Sequence, residues 1–199
     1  MRDDKVVENI ICDKIRSLEG NSYGIIRNAY IPYKKGKYTE VDVILVHDRG
    51  LFVFESKNYS GIIKGSSKDT NWVQELGNSK TEFYNPILQN NTHIKAIRRY
   101  LKRYSLPVYS IIVFSNFCDI SKLELGEYDF VMHVSDITTN LNTLIERYRY
   151  CMRDNDKTYV VDKLKECTEV SEKVINRHKR RVDFIRNLHN KDGVSENIV

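Results

Sequence analysis

Residues 41–57, "VDVILVHDRGLFVFESK", constrain the fold more than any other stretch. Two apolar runs meet at a short polar link, and both alternating sets of positions are rich in Val, Ile, Leu and Phe. Such runs suit a pair of central strands covered on two sides. In a strand, successive side chains point to opposite faces. Val41, Val43 and Leu45 then share one face, with Glu40, Asp42, Ile44 and Val46 on the other. In the second run Leu51, Val53, Glu55 and Lys57 lie opposite Phe52, Phe54 and Ser56. The link "HDRG" suits a tight hairpin. A two-residue turn at Asp48-Arg49, or a four-residue loop, pairs Val46 with Leu51. Counting back sets Asp42 opposite Glu55 and Glu40 opposite Lys57, whereas a three-residue loop shifts this by one. Directly opposed side chains have Cβ atoms about 4.5–5.5 Å apart, and like charges there repel. Two carboxylates that close require a cation. Lys57 in a solvated patch and a bound metal are both open readings of the pattern.

Around this pair the chain alternates between helical and strand-like segments. Val7, Ile11, Ile15 and Leu18 give residues 4–19 helical spacing. "YGIIRNAYI" reads as a strand ended by Pro32, and "GIIKG" and "NWVQEL" as two short strands. "NPILQNNTHIKAIRRYLKRY" opens with Asn85 as N-cap and Pro86 at the first helical position. "VYSIIVFS" and "DFVMHV" are strands by composition, and "SDITTNLNTLIERYRYC" is a helix. One longer helical pattern runs from Asp156 to about Asn190 and contains "RHKRR" at 177–181. That basic run is open to three readings: a solvated face, a nucleic-acid contact or an oligomer-forming helix. The tail "NKDGVSENIV" reads as a frayed end.

A chain of 199 residues holds one sizeable core and an appendage. We divide it at residue 135, with a core over 1–135 and a helical extension over 136–199 packed on or near it. No apolar stretch approaches the ~20 residues of a membrane span, and "MRDDKVV" does not read as a signal peptide. Cys12, Cys118, Cys151 and Cys167 form no C-x-x-C pair, so free buried thiols in a reducing cytoplasm are expected. His93, His133 and His178 each stand alone, which argues against zinc. A net charge of +5 permits a polyanionic partner without demanding one.

Asp42, a turn and then Glu55-Ser56-Lys57 resemble the D…(D/E)-x-K signature of the PD-(D/E)xK nuclease superfamily. The longer string "EVDVILVHDRGLFVFESKNYSGIIKG", with Trp72 and "NPILQ" at 85–89, is similar to the NERD (nuclease-related) domain over roughly residues 5–115. The resemblance implies a restriction-endonuclease-like α/β fold. Its α-β-β-β-α-β core would have a mixed central sheet flanked by helices, with a C-terminal helical extension. It implies a Mg²⁺-dependent nuclease, with Mn²⁺ able to substitute, acting on DNA. Asp42, Glu55 and the Ser56 backbone carbonyl would hold the metal, and Lys57 would act on the attacking water or the transition state. Glu8 matches the family's helical glutamate, although "MRDDKVVE" lacks the glycine-rich start usual before it. Gln89 would orient Lys57, the water or a phosphate. Arg98, Arg99, Lys102 and Arg103 on the same helix are candidate phosphate contacts. The alternative is a non-catalytic nucleic-acid-binding or interaction module that keeps the fold. The C-terminal helices also offer a route to a homo-oligomer.

Overall fold

The computed structural model describes residues 5–18, 22–34, 36–149 and 151–192, with residues 22–23 and 185–192 described as backbone only. The Ile185 side chain and the tail from residue 193 lie outside the described residues. In chain order the elements are α1 (Lys5–Arg16), β1 (Ser22–Lys34), β2 (Lys37–His47), β3 (Gly50–Lys57), β4 (Gly61–Ser66), β5 (Asn71–Leu76) and β6 (Ser79–Tyr84). There follow α2 (Pro86–Leu101), β7 (Val108–Phe114), β8 (Cys118–Glu124), β9 (Phe130–His133), α3 (Ile137–Arg147), α4 (Asp154–Glu166) and α5 (Glu172–Asp192). A five-stranded sheet has the order β1-β2-β3-β7-β9, and a four-stranded sheet the order β6-β5-β4-β8. Both are mixed: β3 pairs parallel with β7, β7 with β9 and β4 with β8, and the other pairs are antiparallel. This is the expected α/β nuclease-like architecture.

The β2–β3 hairpin turns at Asp48-Arg49, with His47 paired to Gly50 and Val46 to Leu51. Gly50 has φ 126°, and a Cβ there would fall 2.5 Å from the Pro107 carbonyl oxygen. Only glycine fits that turn. Alternation in the hairpin sorts its side chains into two cores. Ile44, Val46, Leu51 and Val53 pack under α2 and α4 with Ile94, Ile97, Val160 and Leu164. Val43, Leu45, Phe52 and Phe54 pack under α1 and α3 with Val7, Ile11, Ile137 and Leu141. The helices beyond residue 136 therefore complete both faces of the central sheet.

Two expectations are corrected. β1 does not end at Pro32, which pairs with Tyr38 before the strand closes at Lys34. β1 is an edge strand, where a missing N–H can face the open side. The helical pattern after Asp156 is two helices. Cys167 ends α4, and its carbonyl accepts from Tyr30 N at 2.9 Å, tying the break to β1. Strands β6 and β8 leave no mark in the sequence, because their side chains are mostly exposed and carry no apolar alternation. Among the described residues no helix is long and apolar enough to cross a membrane.

Candidate active site

The central sheet divides at the acidic pair. The β2–β3 ladder runs from His47/Gly50 to Val43/Phe54 and stops there, so Asp42 and Glu55 are the next pair in register. On its other side β2 pairs Arg27 with Val43 and Ala29 with Val41, and the ladder skips Asn28 and Asp42. Asn28 there has φ 49°, a conformation that asparagine tolerates better than most residues. Past this point β2 stays with β1, while β3 stays with β7 as far as Lys57/Phe114. Alternation breaks at the same place. Val41, expected beside Val43 and Leu45, packs instead with Ile44 and Val46. Glu40 likewise does not face Lys57. It accepts from the Tyr30 hydroxyl at 2.8 Å and lies 3.7 Å from His178 Nε2.

Asp42, Glu55, Lys57 and Gln89 come together at the divide. Asp42 Oδ2 accepts from Ser56 N at 2.8 Å and from Ser56 Oγ at 2.7 Å. Glu55 Oε1 is ion-paired with Lys57, whose Nζ also donates to Gln89 Oε1 at 3.3 Å. Glu55 Oε2 is 3.1 Å from His93 Nε2, and His93 Nδ1 is 2.7 Å from Thr39 Oγ1. Helix α2 supplies Gln89 and His93 from one side, since residues four apart share a helical face. Its placement is fixed by asparagines. The Asn85 side chain caps Ile87 N at 2.9 Å and donates to the Asp69 carbonyl at 2.7 Å. Asn90 Nδ2 donates to the Val53 carbonyl at 2.8 Å and to Ser110 Oγ at 2.9 Å, locking α2 over β3 and β7. The Trp72 indole donates to the Ser66 carbonyl at 2.8 Å, bracing the same loop that Asn85 holds.

The charges are unequal. Burial raises the Asp42 pKa well above the usual carboxylate range, and the Glu55 charge raises it further. Lys57 and the Ser56 hydrogen bonds only partly offset this. Burial alone would raise Glu55 too, but Lys57 and then His93 outweigh it and hold that carboxyl low. Burial opposes charge on Lys57, yet Glu55 first, then Tyr59 and Asp42, raise its pKa and keep it an ammonium. Two neighbouring carboxylates thus share one lysine.

Glu8 is buried in α1, only 6% exposed. Its carboxylate is 3.8 Å from Arg27 on β1, across β2 from β3. The four cations of α2 do not form one face. Arg98 is half-buried, and Lys102 is the left-handed C-cap with φ 53°. Arg103 pairs with Asp156 at 3.3 Å, and Arg99 donates to the Tyr33 carbonyl at 3.2 Å. His93, a lone histidine in the sequence, joins the site through Glu55. Its spacing from Gln89, one helical turn on, was the available signal. Cys151 is exposed, whereas the other three free cysteines are buried.

Among the described residues no three His, Cys, Asp or Glu side chains form a metal-holding group. Two carboxylates nonetheless suit Mg²⁺, which takes oxygen ligands and commonly uses only one or two carboxylates beside water and substrate phosphate. Asp42 Oδ1 is uncommitted among the described residues. The residues fit a divalent cation, with the Ser56 carbonyl as a further donor implied by the resemblance.

This divided mixed sheet with flanking helices defines a nuclease-like fold. The nuclease-related domain (NERD) matches residues 4–115, more than half of the chain, and the chain belongs to that family. It is also similar to an uncharacterized protein of Bacillus anthracis, 32% identical over 154 residues that cover 77% of this chain and 70% of the relative. No solved structure matches it.

Proposed function

We propose that the protein is a divalent-metal-dependent nuclease that hydrolyses phosphodiester bonds in DNA. The observation that carries this reading is the convergence of Asp42, Glu55, Lys57 and Gln89 where β2 leaves β3. In this reading Asp42, Glu55 and the Ser56 carbonyl hold Mg²⁺, with Mn²⁺ able to replace it. A divalent cation bound there would polarise the phosphate and help generate the attacking hydroxide. Ser56 fixes Asp42 through two hydrogen bonds to Oδ2, which aims the remaining oxygen. His93, itself fixed by Thr39, holds Glu55 in place.

Lys57 has three donors, of which Glu55 and Gln89 take two. The third binds a phosphate oxygen or orients the attacking water. Because Lys57 is held as an ammonium, its role is to donate and to stabilise developing charge rather than to accept a proton. Three buried free thiols, Cys12, Cys118 and Cys167, suit a cytoplasmic setting.

The test is incubation with plasmid and linear DNA in Mg²⁺, Mn²⁺ or EDTA, with Lys57→Ala beside wild type. Metal-dependent cleavage lost in Lys57→Ala is expected. Metal-independent binding without cleavage by the wild type would make the protein a non-catalytic nucleic-acid-binding module instead.

A further inference from the structure

The cleft chemistry leaves the basic run at 177–181 without a part, yet α5 is seated beside the cleft. His178 is the seat. Its Nδ1 is 3.0 Å from the Tyr38 carbonyl oxygen, and its ring meets Tyr30 edge-on at 5.6 Å. Three residues on, Arg181 lies near enough to the Tyr33 hydroxyl to help lower its pKa. These contacts turn one face of α5 toward β1 and β2. Lys173, Arg177 and Arg180, spaced by four and three, form an exposed stripe lining a shallow cleft of their own.

A second cleft lies between Tyr33 and Lys34 at the end of β1 and Thr92, Lys95 and Arg99 on α2. Tyr33 joins the two, because its side chain meets Arg181 and its carbonyl accepts from Arg99 at 3.2 Å. Thr92, Ala96 and Arg99 continue the helical ridge that starts at Gln89, which contacts Lys57. A track of cations therefore leads away from the candidate active site. Among the described residues, Lys95, Lys173, Arg177 and Arg180 have no acidic partner. Lys64, Lys80, Lys157, Lys163 and Arg103 each pair with a carboxylate. Unpaired cations in two clefts linked through Tyr33 suit a polyanion with regularly spaced charges.

We propose that the surface formed by α5 and the Lys95–Arg99 side of α2 docks the phosphate backbone of a DNA strand as it enters the cleft. This rests on the nuclease reading and locates its substrate contacts. The surface replaces the expected α2 group, of which only Arg99 belongs to it.

The test measures DNA affinity across a salt series in EDTA, and KM in Mg²⁺, for the full chain. The triple variant Lys173→Ala/Arg177→Ala/Arg180→Ala should reduce the slope of log K against log salt by about two to three, near 0.9 per lost phosphate contact. Its melting temperature and kcat should stay at the wild-type values. Charge-keeping Arg177→Lys/Arg180→Lys should hold the slope, and Lys68→Ala/Lys122→Ala, on the four-stranded sheet side, should leave it unchanged. An unaltered slope in the triple variant of a protein that binds and cleaves DNA would remove this surface and leave the nuclease reading standing. An equal loss in Lys68→Ala/Lys122→Ala would reduce the effect to net charge and overturn the docking surface. Wild type that neither binds nor cleaves DNA would overturn both.

Discussion

The β2–β3 hairpin carries a buried lysine–carboxylate pair at each end, and the two ends are built differently. At the turn, Lys157 from α4 pairs with Asp48, and both side chains are almost wholly buried. Asp154 also reaches Lys157, at 2.8 Å, but stays 78% exposed and keeps its water. The Asp48 carbonyl accepts from Cys151 N and Met152 N, so the connection into α4 is stitched to the turn. Burial opposes the Lys157 charge, and Asp154 and Asp48 outweigh it. At the open end Lys57 faces two shielded carboxylates, and one of them, Asp42, is left raised. A compensated pair holds the fold together. An undercompensated pair keeps room for a further cation.

The largest effect that would sharpen this contrast is on turnover. Lys57→Ala should cut DNA cleavage by roughly 10² to 10⁴, the range for a lost acid–base group, taken here as a guide for a lost charged donor. The fold should survive, because Glu55 keeps His93 and the cleft admits a cation. Lys57→Arg should not restore the rate, since a planar guanidinium replaces a compact ammonium. Wild-type turnover in Lys57→Ala would make the Glu-Ser-Lys resemblance coincidental. Unfolding of that variant in Mg²⁺ would make the two ends of the hairpin alike.

Lys157→Ala should do the reverse. Removing one partner of a buried pair costs about 3–5 kcal/mol, readable by urea denaturation. Activity per folded molecule should be unchanged. A lost rate at unchanged stability would contradict the structural role of the turn.

A smaller effect should appear in the pH dependence of stability. Burial and Glu55 raise Asp42 above its ordinary value of 3.8, so the folded protein binds that proton more tightly than the unfolded chain does. The resulting stabilisation is fully present below the unfolded value and is lost as pH rises through the raised folded value. Glu55 is lowered and acts oppositely, with its window below its ordinary 4.5. In EDTA above that value, the melting temperature of wild type should therefore fall as pH rises. Asp42→Asn should flatten the curve and weaken Mn²⁺ binding. A flat wild-type curve, or Mn²⁺ titrations identical in the two proteins, would place Asp42 with the compensated pair.

The smallest effect belongs to Gln89. Gln89→Ala removes one neutral acceptor from Lys57, and loss of a typical hydrogen bond is worth about 0.5–1.5 kcal/mol. Turnover should fall by about tenfold or less, and stability by no more than about 1.5 kcal/mol. A loss as deep as that of Lys57→Ala would assign Gln89 a direct contact with the reacting groups.

The hairpin register was legible in the sequence on condition of the turn, since a two- or four-residue link gives the observed pairing and a three-residue loop does not. Counting from that turn set Asp42 opposite Glu55, one step beyond the end of the ladder. The failure of Glu40 to meet Lys57 could not be counted, since it depends on Asn28 interrupting the β1–β2 ladder from a different strand. Asn85 and Pro86 marked the start of α2, but the landing of His93 on Glu55 needed the Asn90 lock to Val53 and Ser110. That lock is long-range and leaves no trace in local periodicity. The helical run after Asp156 hid its break for a similar reason, because Cys167 is held by a contact to Tyr30.

Strands β3 and β7 lie side by side in the five-stranded sheet, and their continuations β4 and β8 lie side by side in the other. The two strands cross from sheet to sheet as a couple. Ser115 N donates to the Lys57 carbonyl at 2.9 Å, and Ser115 Oγ to the Tyr59 carbonyl at 2.6 Å, pinning the crossing. In mechanical terms this is a pinned elbow, and Lys57 is the last β3 residue before it. Torque on the outer sheet reaches that lysine through covalent backbone. At the outer sheet's far margin β6 is mostly exposed, so length can be added or removed there without loading the joint.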